Sequence, residues 1–126
     1  MTRIYSFLFL FFLLSAPKAY SFAKVSPKAY SYSLADVDYS KADSTKVVKL
    51  LREASHLKSS TNWMTYFGKQ FCGLPYVAKT LEKNKTERLI VNLRQLDCTT
   101  FVETTLALTL CAKNGKTSFV DYCHYL

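Results

Sequence analysis

Only one segment of this chain reads clearly as a β-strand, the short aliphatic run Arg88-Leu89-Ile90-Val91-Asn92-Leu93. One strand cannot make a sheet. Beyond residue 43 most of the remaining pattern is helical, so the chain has to be built from helices packed around that strand. A few residues later comes Leu96-Asp97-Cys98-Thr99-Thr100-Phe101-Val102-Glu103, where a strand-like segment gives way to a helix. The architecture expected is α+β, with much helix and little sheet.

Cys98 is the residue at that junction with chemistry to offer. A thiol in the first turn of a helix faces backbone N–H groups that have no intrahelical acceptor, and it feels the positive end of the helix dipole. Both favour the thiolate, the nucleophilic form. The plainer alternative is a cysteine used for packing, since cysteine is among the most buried residue types.

Four helices are expected. Ser44 reads as the N-cap of the first, with Val47, Leu50, Leu51, Ala54 and Leu57 on one apolar face. The second covers Asn62 to Phe71, where Trp63, Tyr66, Phe67 and Gln70 recur at helical spacing, and Gly73 and Pro75 end it. Tyr76 to Leu81 reads as irregular or a short strand. The third begins near Cys98; Val102, Leu106 and Leu110 form its stripe, widened by Phe101, Leu108 and Ala112, and Asn114-Gly115 stops it. Apolar around most of its circumference, it is expected at the centre of the core. Ser118 caps a last helix, with Phe119, Tyr122 and Cys123 facing inward.

The first 23 residues read as a signal peptide. Met1-Thr2-Arg3 is a short basic start, Ile4 to Leu14 is an apolar core too short for an ordinary transmembrane helix, and Ser21-Phe22-Ala23 places small residues at the cleavage positions. Residues 24–43 carry Tyr, Ser, Lys and Asp without sustained period and read as a linker or extended arm. Residues 44–126 are then the domain. Export implies a periplasmic or secreted protein, with no stable membrane span once the signal is cleaved.

Charge and cysteine content narrow the function classes. The whole chain carries 17 basic and 9 acidic residues, and removing Arg3 and Lys18 with the signal leaves 15 against 9, a net of about +6. Such a balance suits anionic envelope polymers, a membrane surface or simple solubility. No basic run is interleaved with aromatics, so nucleic acid is not an expected partner. The four cysteines, Cys72, Cys98, Cys111 and Cys123, allow three full disulfide pairings in an oxidising compartment, and the sequence does not choose among them. No pair has zinc-ligand or Cys-x-x-Cys spacing, so no metal is expected; no cofactor is expected either.

Two blocks carry a family likeness: Gly68-Lys69-Gln70-Phe71-Cys72-Gly73-Leu74-Pro75-Tyr76-Val77-Ala78-Lys79-Thr80-Leu81-Glu82, and Leu89-Ile90-Val91-Asn92-Leu93-Arg94-Gln95-Leu96-Asp97-Cys98-Thr99-Thr100-Phe101-Val102-Glu103. Together they resemble the bacterial N-acetylmuramoyl-L-alanine amidase-like family, long catalogued as a domain of unknown function, and the broader papain-like cell-wall peptidases of the NlpC type. The likeness covers about residues 60 to 123. It implies a papain-like cysteine hydrolase acting on amide bonds of peptidoglycan stem peptides, with Cys98 as nucleophile. Tyr76 matches a family position near the nucleophile where a hydroxyl orients substrate. Asp97 either holds a substrate amine or caps the Cys98 helix, and capping is the favoured role. Glu82 and Glu103 read as structural or solvated.

The sequence also departs from that family. Lys79 stands where the family usually has glycine, and Cys72 is unusual before Gly73. The family's base is a histidine well downstream of the cysteine, whereas this chain has only His56 and His124, and neither matches that position. The scarcity of strands, and an end at His124-Tyr125-Leu126 without a helix stop, lead to the expectation that the chain corresponds to the mostly helical N-terminal half of such an enzyme, with doubtful activity. The alternatives are a non-catalytic envelope-binding fragment or an inactive remnant.

Overall fold

The computed structural model describes residues 33–82 and 84–126. The signal-peptide reading, and the linker as far as residue 32, lie outside the described residues. A 3₁₀ turn, Leu34–Asp36, leads into strand β1, Val37–Tyr39. Helix α1 spans Lys41–Ser55, α2 Trp63–Lys69, strand β2 Leu89–Val91, α3 Cys98–Lys113 and α4 Phe119–Tyr125. Among the described residues the architecture is α+β: four helices and a two-stranded parallel sheet.

That sheet corrects two expectations. Residues 33–43, read from the sequence as the end of a linker, carry the 3₁₀ turn, β1 and the first turn of α1. The single strand has a partner, with Val37 opposite Leu89, Asp38 opposite Ile90 and Tyr39 opposite Val91. Parallel strands need a long crossover, and α1 and α2 lie between them in sequence.

Helix α1 starts four residues earlier than expected. Its N-cap is Ser40, not Ser44, because Ser40 and Asp43 form a reciprocal capping box: the serine hydroxyl accepts the Asp43 N–H at 3.1 Å and the Asp43 carboxylate accepts the Ser40 N–H at 3.2 Å. Val47, Leu50, Leu51 and Ala54 are buried as expected, but Leu57 lies past the helix end and is exposed. Helix α2 is shorter than expected, capped by Asn62, whose side chain accepts the Thr65 N–H. Gln70 to Gly73 form turns instead of a last helical turn, and Gly73 takes a φ of 84°, which glycine adopts without strain.

The core gathers Val47, Leu50, Leu51, Ala54, Phe67, Leu93, Leu108, Tyr122 and Cys123 from all four helices and the segment after β2. Full burial of one such leucine or phenylalanine contributes about 1.5–3 kcal/mol. Helix α3 packs against α1, α2 and α4 and is central, but not through the expected stripe. Val102 is 53% exposed and Leu106 45%, with Leu110 half-buried. The buried side is made of Thr100, Thr104, Thr105, Ala107, Leu108, Thr109 and Cys111.

Small residues let three helices approach α3 closely, and its threonines arrive with partners. The Thr105 hydroxyl donates to the Phe101 carbonyl at 2.7 Å, Thr109 to the Met64 sulfur at 3.3 Å, and the Tyr122 hydroxyl to Thr104 at 3.5 Å. Burial of a satisfied hydroxyl is tolerable. Helix α4 matches its expectation: Ser118 caps it, and Phe119, Tyr122 and Cys123 are buried.

Candidate active site

After β2 the chain runs through Leu93, which is fully buried, to Leu96, which forms a parallel bridge with Tyr76. The Leu96 N–H donates to the Pro75 carbonyl and the Val77 N–H to the Leu96 carbonyl, both at 3.2 Å. The Gly-Leu-Pro-Tyr block and the Asp-Cys-Thr block, some twenty residues apart in sequence, are thereby stitched side by side. The Tyr76 side chain is 70% exposed next to this seam.

Asp97 is the N-cap of α3. Its Oδ1 accepts the Thr100 N–H at 2.8 Å and the Thr100 hydroxyl at 2.8 Å, while the Asp97 N–H donates to the Thr100 Oγ1 at 2.9 Å. These hydrogen bonds, first from the Thr100 N–H and then from its hydroxyl, hold the Asp97 carboxyl below its usual range. Thr100 was not singled out from the sequence, although Asp-x-x-Thr is a capping-box spacing.

Cys98 is the first residue of α3, exposed, with a free thiol. The N–H groups of Cys98 and Thr99 lie in the first turn, before the intrahelical ladder begins. One turn on, the Phe101 ring meets Phe71 edge-on at 6.5 Å between centroids. This contact joins the end of α2 to the start of α3. A side chain at Gly68 would touch the same Phe101 ring at 3.4 Å.

The other cysteines differ from Cys98 in different ways. Cys72 is exposed and lies in the turn after α2. Cys111 and Cys123 are buried, and none of the four is in a disulfide. Burial pushes the Cys111 thiol up from 9.0 to about 12 and the Cys123 thiol to about 11. Neutral thiols of this kind pack as small hydrophobes and are poor nucleophiles.

His56 is the C-cap of α1, and His124 lies in α4 with its ring against Tyr125; both are exposed. Among the described residues neither histidine has a hydrogen bond to Cys98. Glu82 is exposed and pairs with Lys79 at 3.7 Å, and Glu103 is exposed on α3. Lys79 has a φ of 62°, the one positive value at a non-glycine among the described residues, a backbone conformation that glycine adopts without strain.

A cavity of about 260 Å³ is lined by Thr80, Arg88, Asn92, Thr100, Glu103 and Thr104, among others, and not by Cys98 or Tyr76. At 100° per residue, Thr100, Glu103 and Thr104 project from a different side of α3 than Cys98. Among the described residues no group of three or more His, Cys, Asp or Glu is placed to hold a metal ion. Nor is any helix there long and apolar enough to cross a membrane.

A family model described as AmiA-like, N-acetylmuramoyl-L-alanine amidase-like, matches residues 66–125. The matched stretch includes Tyr76, Asp97 and Cys98, and runs from α2 through α4. No curated protein and no solved structure matches the chain.

Proposed function

We propose that this protein is a cysteine amidase of the cell wall, acting outside the cytoplasm on amide bonds of peptidoglycan stem peptides. The observation that carries the proposal is an exposed thiol at the first residue of α3, inside a stretch similar to the amidase-like family. The papain-like ancestry is supported by the resemblance of the two sequence blocks, with Cys98 opening α3 two residues after the Leu96–Tyr76 bridge.

In this reading the Cys98 thiolate, its proton already given up to solvent at this exposed position, attacks the amide carbonyl, and the leaving amine takes a proton from water. The C–N bond breaks, a thioester forms on Cys98, and water hydrolyses it. N–H groups of the first turn of α3 hold the oxyanion. Tyr76 offers its exposed hydroxyl to orient the stem peptide. Asp97 acts chiefly by fixing the helix start, its Oδ1 already engaged with Thr100.

The test is incubation with purified muropeptides. The expected result is release of a new amine that disappears in Cys98→Ala; cleavage that persists in that variant would overturn the assignment. A second reading is favoured by one observation: among the described residues, Cys98 has no hydrogen bond to either histidine. It is a non-catalytic envelope-binding protein, and it predicts sedimentation with peptidoglycan sacculi that survives Cys98→Ser with no amine released.

A further inference from the structure

Asp43 and Lys46 sit on the first two turns of α1, far in sequence from Cys98, yet both reach the segment that delivers Cys98 to its place. The Asp43 carboxylate is 1% exposed. Its Oδ2 accepts the Ser40 N–H at 3.2 Å and the Ser40 hydroxyl at 2.5 Å. Its Oδ1 accepts the Leu93 N–H at 2.9 Å and lies 3.4 Å from the Arg94 Nε. Lys46 donates from Nζ to the Leu93 carbonyl at 3.1 Å. Both backbone polar groups of Leu93 are therefore taken by side chains of α1. The Lys46 ammonium also stands 4.9 Å from the centroid of Phe71, whose ring meets Phe101 in the first turn of α3.

We propose that Asp43 and Lys46 are positioning residues that clamp Leu93 and so set where the Leu96–Asp97–Cys98 turn lies against the Tyr76 seam. The role rests on the cysteine-amidase reading of Cys98 for its purpose, but the clamp itself is defined by these contacts. A buried carboxylate used only to cap α1 needs no partner beyond Ser40 and the first-turn N–H groups. This one spends its second oxygen on a backbone N–H fifty residues away. Lys46 has no capping duty at all. Burial lowers its pKa, against the pull of the Asp43 carboxylate, and a lysine with no task at the Leu93 carbonyl would extend into water instead.

The variants follow from the donor and acceptor count. Asp43→Asn keeps the shape but offers one acceptor oxygen where the site uses two. Lys46→Met keeps the apolar stem over Phe71 and removes the donor, whereas Lys46→Arg retains one. The readout is alkylation of the native chain by iodoacetamide across pH, resolved for each cysteine by peptide mass spectrometry. Cys72 serves as an exposed reference, and Cys111 and Cys123 report on the intact core.

The expected result is that Asp43→Asn and Lys46→Met slow Cys98 at neutral pH by about a few-fold relative to Cys72, because a displaced helix start presents its first-turn N–H groups less squarely to the sulfur. The Cys72 rate stays as it was, and Lys46→Arg restores the wild-type rate at Cys98. An unchanged or faster Cys98 in Lys46→Met, with Cys111 and Cys123 still protected, overturns the proposal. If Asp43→Asn exposes the buried thiols, Lys46→Met alone decides. The assay needs no substrate, so a chain that fails to cleave muropeptides ends the amidase reading without touching this result.

Discussion

The two ends of α3 hold thiols in opposite circumstances. At the N-terminal end Cys98 is exposed, and its surroundings are fixed by hydrogen bonds: the Asp97–Thr100 cap, the Leu96–Tyr76 bridge and the α1 side chains on Leu93. Towards the C-terminal end Cys111 is sealed among Leu108, Tyr122 and Cys123, and its surroundings are fixed by packing. The same side chain is thus offered to solvent at one end and withdrawn at the other. The cysteine count alone, which invited a disulfide framework, therefore says little. Position on the helix and the company of each sulfur decide what it can do.

This contrast can be broken at its packed end first. Tyr122 is fully buried, and Tyr122→Ala should cost about 3–5 kcal/mol. Urea unfolding measures it, and alkylation of Cys111 and Cys123 should rise with it.

A second effect comes from alkaline pH. The folded-state values of about 12 for Cys111 and about 11 for Cys123 lie above the ordinary 9.0. Between these limits the unfolded chain has lost the thiol protons and the folded chain keeps them. Stability is therefore fully present below pH 9.0 and is lost as pH rises towards 11 and 12. The slope is at most about 1.4 kcal/mol per pH unit for each thiol. Melting temperatures recorded across that window check it, and Cys111→Ala should flatten the fall.

At the polar end the expected effects are smaller. Asp97→Ala removes the cap of α3 and should cost about 1 kcal/mol, read by urea unfolding. The smallest effect belongs to the exposed side of the same helix. Leu106→Ser should change stability by no more than about 0.5 kcal/mol, because Leu106 is 45% exposed. A large loss there would show that the stripe is covered in the native protein.

That last prediction marks where the sequence misled. A helix that is apolar on most sides does not announce which side it buries. The period of Val102, Leu106 and Leu110 favoured one face, and the closeness of three helices favoured the other, lined by Thr104, Thr105, Ala107 and Cys111. Where a residue type has one strong local use, the sequence was legible. Asp97 capping α3, Ser118 capping α4 and Gly115 beyond the end of α3 all follow from short-range chemistry.

Strand β1 was hidden because Val37-Asp38-Tyr39 is too short to show a period, and its pairing with Leu89–Val91 is long-range. Ser40 lost to Ser44 as the expected cap, although Ser40 with Asp43 three residues on is the capping-box spacing. Missing that pair also hid the clamp on Leu93. At the candidate site the Cys98 helix start and the neighbourhood of Tyr76 were readable from the two sequence blocks. The contacts that hold them, from Thr100, Asp43 and Lys46, were not.

Whether Cys98 is the nucleophile is decided by quenching the native chain with acid during incubation with muropeptides and weighing the peptide that contains Cys98. The expected result is a thioester adduct on Cys98, with Cys72, Cys111 and Cys123 unmodified. A muropeptide cleaved without any adduct on Cys98, or neither adduct nor cleavage, would contradict it.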